Sequence, residues 1–149
     1  MSTAPQARVV IVDGVPMSGL LAEPGAGTAP KAVIVALHGG ATTAAYFDCP
    51  GHPELSLVRS APGHRFTILA LDRPGFGSSA LYGNEFDSTP RRIEMTYRAI
   101  DAILGSRDRG AGTFVLAHSN GSELALRMAA HDRGRDLLGG SVPDRIERE

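Results

Sequence analysis

The 149-residue chain has one cysteine, a net charge close to zero and no long hydrophobic run, and each shortage closes off a class of function. A lone Cys49 cannot close an internal disulfide, so a disulfide-stapled scaffold is excluded and a reducing, cytoplasmic location is the expectation. Fifteen Lys and Arg against sixteen Asp and Glu leave a net charge of −1, without the cationic excess that displaces counterions from a phosphate backbone. No nucleic-acid partner is expected. Long hydrophobic runs are missing as well. The longest, Ala32 to Leu37, has six residues, whereas a membrane-spanning helix needs about 20. The opening Met1-Ser-Thr-Ala-Pro-Gln6 has neither the charged nor the apolar part of a secretory signal, so no membrane partner is expected either. Cys49-Pro-Gly-His52 has half the spacing of a metal site, but no second half accompanies it among His38, His64, His118 and His131. A loop thiol and a loop histidine, with no metal, is the reading.

What is present is an alternation of short apolar runs and helical periodicities. Arg8 to Asp13 and Met17 to Glu23, joined by Gly14-Val-Pro16, read as an antiparallel hairpin. Ala32 to His38 is almost continuously β-branched or aliphatic, as expected of a central strand covered on both faces. Phe66 to Asp72 repeats that pattern and Thr113 to Ala117 does so more briefly. Between them, Thr89 as a cap and Pro90 in the first turn start a helix ending at Gly105, with Ile93, Tyr97, Ile100 and Leu104 on one face. Gly121 to Ala130 reads as a second helix, and Ala41 to Gly63 as a loop carrying one short helix over Pro53 to Ser60. From Asp132 onward nine charges fall in eighteen residues, which reads as a charged C-terminal tail, 132–149, following a core of 1–131. The fold class that results is α/β, with a mostly parallel sheet and an antiparallel N-terminal hairpin.

Chemistry concentrates where the strands end, which is where open parallel sheets hold ligands. In Leu116-Ala-His-Ser-Asn-Gly-Ser122 a serine stands between a strand and a helix. A tight turn there lifts the Ser119 hydroxyl above the sheet as a nucleophile, and the Asn120 N–H at the helix start can stabilise an oxyanion. His38-Gly39-Gly40 follows the most hydrophobic strand, and Gly40 is the candidate second oxyanion donor because glycine lets the backbone approach a substrate closely. Asp72-Arg-Pro-Gly-Phe-Gly-Ser-Ser79 bends away from a third strand end. It is a poor dinucleotide loop, since no helix begins there.

Taken in order, His38-Gly39-Gly40, Asp72 to Ser79 and Ala117-His-Ser-Asn-Gly121 resemble the N-terminal half of the α/β-hydrolase superfamily of serine esterases, lipases and peptidases, over about residues 8–131. Ala117 replaces the first glycine of that family's G-x-S-x-G elbow. The resemblance implies a serine hydrolase acting on small ester-like or amide-like acyl substrates through Ser119, with Gly40 and Asn120 as oxyanion donors and no cofactor. It also implies a truncated α/β-hydrolase fold and an incomplete triad. The family's acid and histidine follow later strands, and no residue here matches either.

Plainer readings stand beside these. A serine before a helix is ordinarily an N-cap. His118, next to Ser119, is read as a packing residue. His131 lies about 18 Å along the helix from the elbow, too far to act as a base. Asp72 is read as structural, held by Arg73 and local turn amides. The alternative to an enzyme is a non-catalytic fragment or pseudoenzyme that forms a homodimer through an open sheet edge at Thr113 to Ala117.

Overall fold

A computed structural model describes residues 4–141 of the chain. Six strands form one mixed sheet in the order β1-β2-β4-β3-β5-β6. Strands β1 (Gln6–Val12) and β2 (Val15–Ala22) form the expected hairpin, with Val12 paired to Val15. The turn is two residues long and lies earlier than Gly14-Val-Pro16 suggests. Asp13 and Gly14 both take positive φ, 50° and 78°, the backbone that matches the twist of a two-residue hairpin. Val15 and Pro16 already belong to the strand.

Strand β2 then runs antiparallel to β4 (Phe66–Leu71), while β3 (Ala32–Leu37) lies parallel between β4 and β5 (Thr113–Ala117). Val33, Val35, Ala36 and Leu37 of β3 are fully buried, as a strand covered on both faces requires. On one face lie α2 (Thr89–Leu104) and α3 (Gly121–Ala130), whose Tyr97, Ile100, Leu104, Leu124 and Met128 close the larger core over Met17, Leu69, Leu71 and Val115. Ser88 rather than Thr89 caps α2, its Oγ accepting the Arg91 N–H, so Thr89 and Pro90 occupy the first turn. The opposite face is covered by the segment from Ala44 to His64. It folds as three short 3-10 turns and the single-turn α1 (Leu57–Ser60), and it buries Phe47, Val58 and Ala61 on Ala36, Ile68 and Ala70. That cover does not reach the outer part of β5, where Phe114 stays exposed.

The expected open edge at β5 is overturned. After a 3-10 turn over Asp132–Asp136, residues Leu137–Ser141 form β6, parallel to β5 with Thr113 opposite Leu137. The edge-paired homodimer through Thr113 to Ala117 therefore loses its basis. The charges that make this segment read as a solvated tail are partly used locally. Arg133 donates to Asp101 at 2.7 Å and lies over the Tyr97 ring, which frees Leu137 to pack on the core. The remainder of the charged stretch, 142–149, lies outside the described residues.

Candidate functional site

Register places the three strand ends level with one another. Leu37 stands opposite both Leu71 and Ala117, so His38, Asp72 and His118 leave the sheet side by side at its C-terminal rim. The three motifs singled out in the sequence thus converge on one place.

Ser119 is exposed and sits at φ 52°, a left-handed conformation that costs an L-residue roughly 1–2 kcal/mol. The surrounding hydrogen bonds impose it. His118 N–H donates to Leu37 O at 3.0 Å, Gly121 N–H to His118 O at 2.9 Å and Ser122 N–H to Ser119 O at 2.9 Å, so the chain turns from β5 into α3 within three residues. Ser119 is not an N-cap. Asn120 holds the cap position and makes no side-chain cap bond. If the elbow stores strain, Ser119→Gly will be more stable than Ser119→Ala by about 1 kcal/mol, because glycine removes the Cβ that disfavours this backbone. Chemical denaturation of the two variants reads that difference, and equal midpoints would remove the strain from the account.

Across from the elbow, the glycine pair supplies room for close packing. A Cβ on Gly39 would lie 2.9 Å from His118 Nδ1 and 3.2 Å from Ser119 Cβ, and one on Gly40 would lie 2.7 Å from Asn120 Nδ2. The peptide between the two glycines is held from its carbonyl side. His38 Nδ1–H donates to Gly39 O at 2.8 Å and Arg73 Nη2 donates to the same oxygen at 2.9 Å. His38 Nε2 accepts the Arg73 N–H at 3.0 Å, which fixes the imidazole as its neutral Nδ1–H tautomer. Burial holds the His38 pKa below the ordinary imidazole value, against the opposing pull of the Gly39 hydrogen bond. Because a trans peptide is planar, fixing Gly39 O fixes the Gly40 N–H on the opposite side. Among the described residues neither that N–H nor the Asn120 N–H donates to another group.

Arg73, expected from the sequence only as a partner of Asp72, instead serves the Gly39 carbonyl. Its guanidinium is half-buried and packs over Phe76 at 4.4 Å. Asp72, by contrast, is structural through partners the sequence reading did not name. It is buried, and its two oxygens accept Ser18 Oγ–H at 2.5 Å and Ala44 N–H at 2.7 Å. His118 stacks on Tyr46 with centroids 4.6 Å apart, and Tyr46 is a second neighbour of the site that no motif announced. His131 closes the far end of α3 with its backbone N–H, which donates to Arg127 O and Met128 O, and its Nδ1 accepts the Arg133 N–H to cap the following 3-10 turn. Cys49 has no metal-binding company, because no group of three potential ligands occurs among the described residues. Among those residues, too, Ser119 Oγ has no hydrogen-bond partner, and no helix is long and apolar enough to cross a membrane.

Comparison with known proteins identifies the fold. The chain is similar in structure to a lipase in its open form, with TM-score 0.70 and 20% identity over 93% of this chain and 44% of the lipase. It is also similar to a thermostable carboxyl esterase from Bacillus coagulans, with TM-score 0.70 and 17% identity over 95% of this chain and 44% of the esterase. An epoxide hydrolase from an endophytic Streptomyces superposes with TM-score 0.68 and 18% identity over 93% of this chain and 36% of the hydrolase. At these identities the likeness is one of fold, and the chain spans less than half the length of each. No curated protein matches it significantly in sequence. The family profile described as "Alpha/beta hydrolase family" matches residues 34–147, which include all three strand-end motifs. By that match and by its sheet order, the chain belongs to the alpha/beta hydrolase family.

Proposed function

We propose that the chain carries the nucleophilic half of a serine hydrolase acting on small ester-like or amide-like acyl substrates. Ser119 Oγ attacks the carbonyl carbon, the carbonyl π-pair moves onto oxygen, and the Gly40 and Asn120 N–H groups receive that oxyanion. The hydroxyl proton passes to solvent or buffer base as the new C–O bond forms, and the tetrahedral adduct collapses by expelling the alcohol or amine. Acylation without a general base is therefore slow, and full turnover requires a base and an acid that no described residue supplies. The observation that carries the reading is the pair of unpaired backbone amides flanking an exposed, strained serine. Strain in a non-glycine residue persists only where the surroundings over-determine it, and such positions cluster at reacting sites. Unpaired amides at a strand-to-helix turn are the donors that acyl transfer uses.

The experiment is reaction with p-nitrophenyl acetate followed by peptide mapping. An acetyl group concentrated on Ser119 is the expected result. Acetylation spread over Lys31 and the amino terminus, with Ser119 unmodified, overturns the proposal.

A further inference from the structure

Beside the elbow lies a small polar cleft of about 40 Å³, lined among others by Arg73, Thr89, Arg92, Asn120, Glu123 and Arg127. Three arginines against one glutamate leave the cleft two charges positive, in a chain whose overall charge is −1. Each guanidinium has a partner, although that of Arg127 is an exposed pair one helical turn away. Arg73 is tied to Gly39 O, Arg92 Nη2 donates to Thr89 Oγ1 at 3.0 Å, and Arg127 Nε donates to Glu123 at 3.0 Å. A guanidinium carries five donors, so these bonds orient the three groups while leaving most of their capacity unspent. Arg73 Nε is fully enclosed and has no acceptor among the described residues, an unmet donor in a side chain that lines the cleft. Burial and the neighbouring Arg92 charge both work against the Arg73 cation, so a bound anion would also offset the repulsion between two of the arginines.

Position decides what kind of anion this is. Asn120 lines the cleft and follows Ser119 directly, with Cα atoms about 3.8 Å apart across a trans peptide. We propose that the cleft formed by Arg73, Arg92 and Arg127 binds a carboxylate borne by the substrate, so that the chain selects acyl compounds with an anionic terminus a few carbons from the scissile bond. The planar, bidentate geometry of a carboxylate matches guanidinium donors. The substrate assignment rests on Ser119 being the nucleophile, whereas anion binding does not.

The test is a titration of the Ser119→Ala protein followed by ¹H–¹⁵N NMR, in which no acylation can occur. Monomethyl glutarate is expected to shift the Arg73, Arg92 and Arg127 Nε–H signals together with the Asn120 amide, saturably. Neutral methyl pentanoate should bind at least tenfold more weakly. The double variant Arg92→Gln/Arg127→Gln should weaken the monoester at least tenfold, while Arg98→Gln, whose partner is Asp13 on the hairpin, should leave it unchanged. Free acetate distinguishes the source. If acetate shifts the arginines and the monoester does not, the cleft takes a free ion and the substrate assignment is overturned. If no anion shifts the arginines, or the double variant binds as well as its parent, the site itself is overturned. Both readouts are independent of whether Ser119 reacts.

Discussion

Gly121→Val is expected to lower the free energy of unfolding by about 3 kcal/mol, the upper end for overpacking a tight contact. A Cβ at this position would lie 2.5 Å from Leu37 O and 2.6 Å from His38 O. Both obstacles are backbone atoms, at the last residue of the central strand and the one after it, so no rotamer change relieves the contact. Either α3 moves away from β3, exposing Leu124, Ala125 and Met128, or the end of β3 shifts and carries Gly39 and Gly40 with it. Gly63→Ala is the control, since a Cβ there meets nothing within 4 Å and the effect should stay within about 0.5 kcal/mol. Urea denaturation of the two variants measures the contrast. Equal midpoints would mean that the elbow is not packed against β3 as described.

Asp72→Ala should cost about 2–4 kcal/mol, because buried donors that lose their acceptor keep their desolvation penalty. The carboxylate ties β2, through Ser18, to the start of the β3–β4 connection, through Ala44. Ser18 Oγ in turn accepts the Ser78 N–H at 3.0 Å, so the same network anchors the turn that begins with Arg73. Asp72→Asn should cost roughly half as much. The amide oxygen can still accept from Ala44, but its NH₂ would face a hydroxyl that must then stop donating and already accepts from Ser78. Thermal or urea unfolding of the pair gives the ratio, and an Asp72→Ala variant as stable as the parent would contradict the structural role assigned here. Loosening this turn also loosens Arg73, one of the two donors on Gly39 O. Asp72→Ala should therefore slow reaction at Ser119 even in samples that remain folded.

The parts of the fold that were legible in the sequence are those that local chemistry decides. Continuous aliphatic runs identified β3, β4 and β5, and the period of Ile93, Tyr97, Ile100 and Leu104 identified α2, since those positions face the sheet. The elbow was legible because a serine and a glycine at a strand-to-helix junction leave few alternatives. Less legible was anything settled by tertiary partners. Leu137 to Ser141 is short and glycine-containing and stands among charges, and it becomes a strand because β5 offers an unpaired edge and Asp101 and Tyr97 hold Arg133. The contact of Arg73 with Gly39 and that of Tyr46 with His118 escaped for a similar reason. Their places beside Gly39 and His118 depend on loops brought together by strand register, and no spacing along the chain encodes that.

On the proposed function, the strand-end motifs supply a nucleophile position, two amide donors and a rigid support for one of them. The support is specific: His38 and Arg73 act on the same carbonyl oxygen from two sides, and their own mutual hydrogen bond fixes the imidazole tautomer. Such preorganisation matters for oxyanion stabilisation, because donors already aimed need not reorganise as charge develops.

The most direct measurement is the intact mass of the protein after exposure to a fluorophosphonate, with Ser119→Ala treated in parallel and circular dichroism showing both to be folded. A single, slowly formed adduct on the parent protein and none on Ser119→Ala is the predicted result, with the oxyanion donors assisting at phosphorus and buffer base taking the proton. Folded parent protein that stays unmodified, or an adduct that persists in Ser119→Ala, would contradict the assignment of Ser119 as the nucleophile.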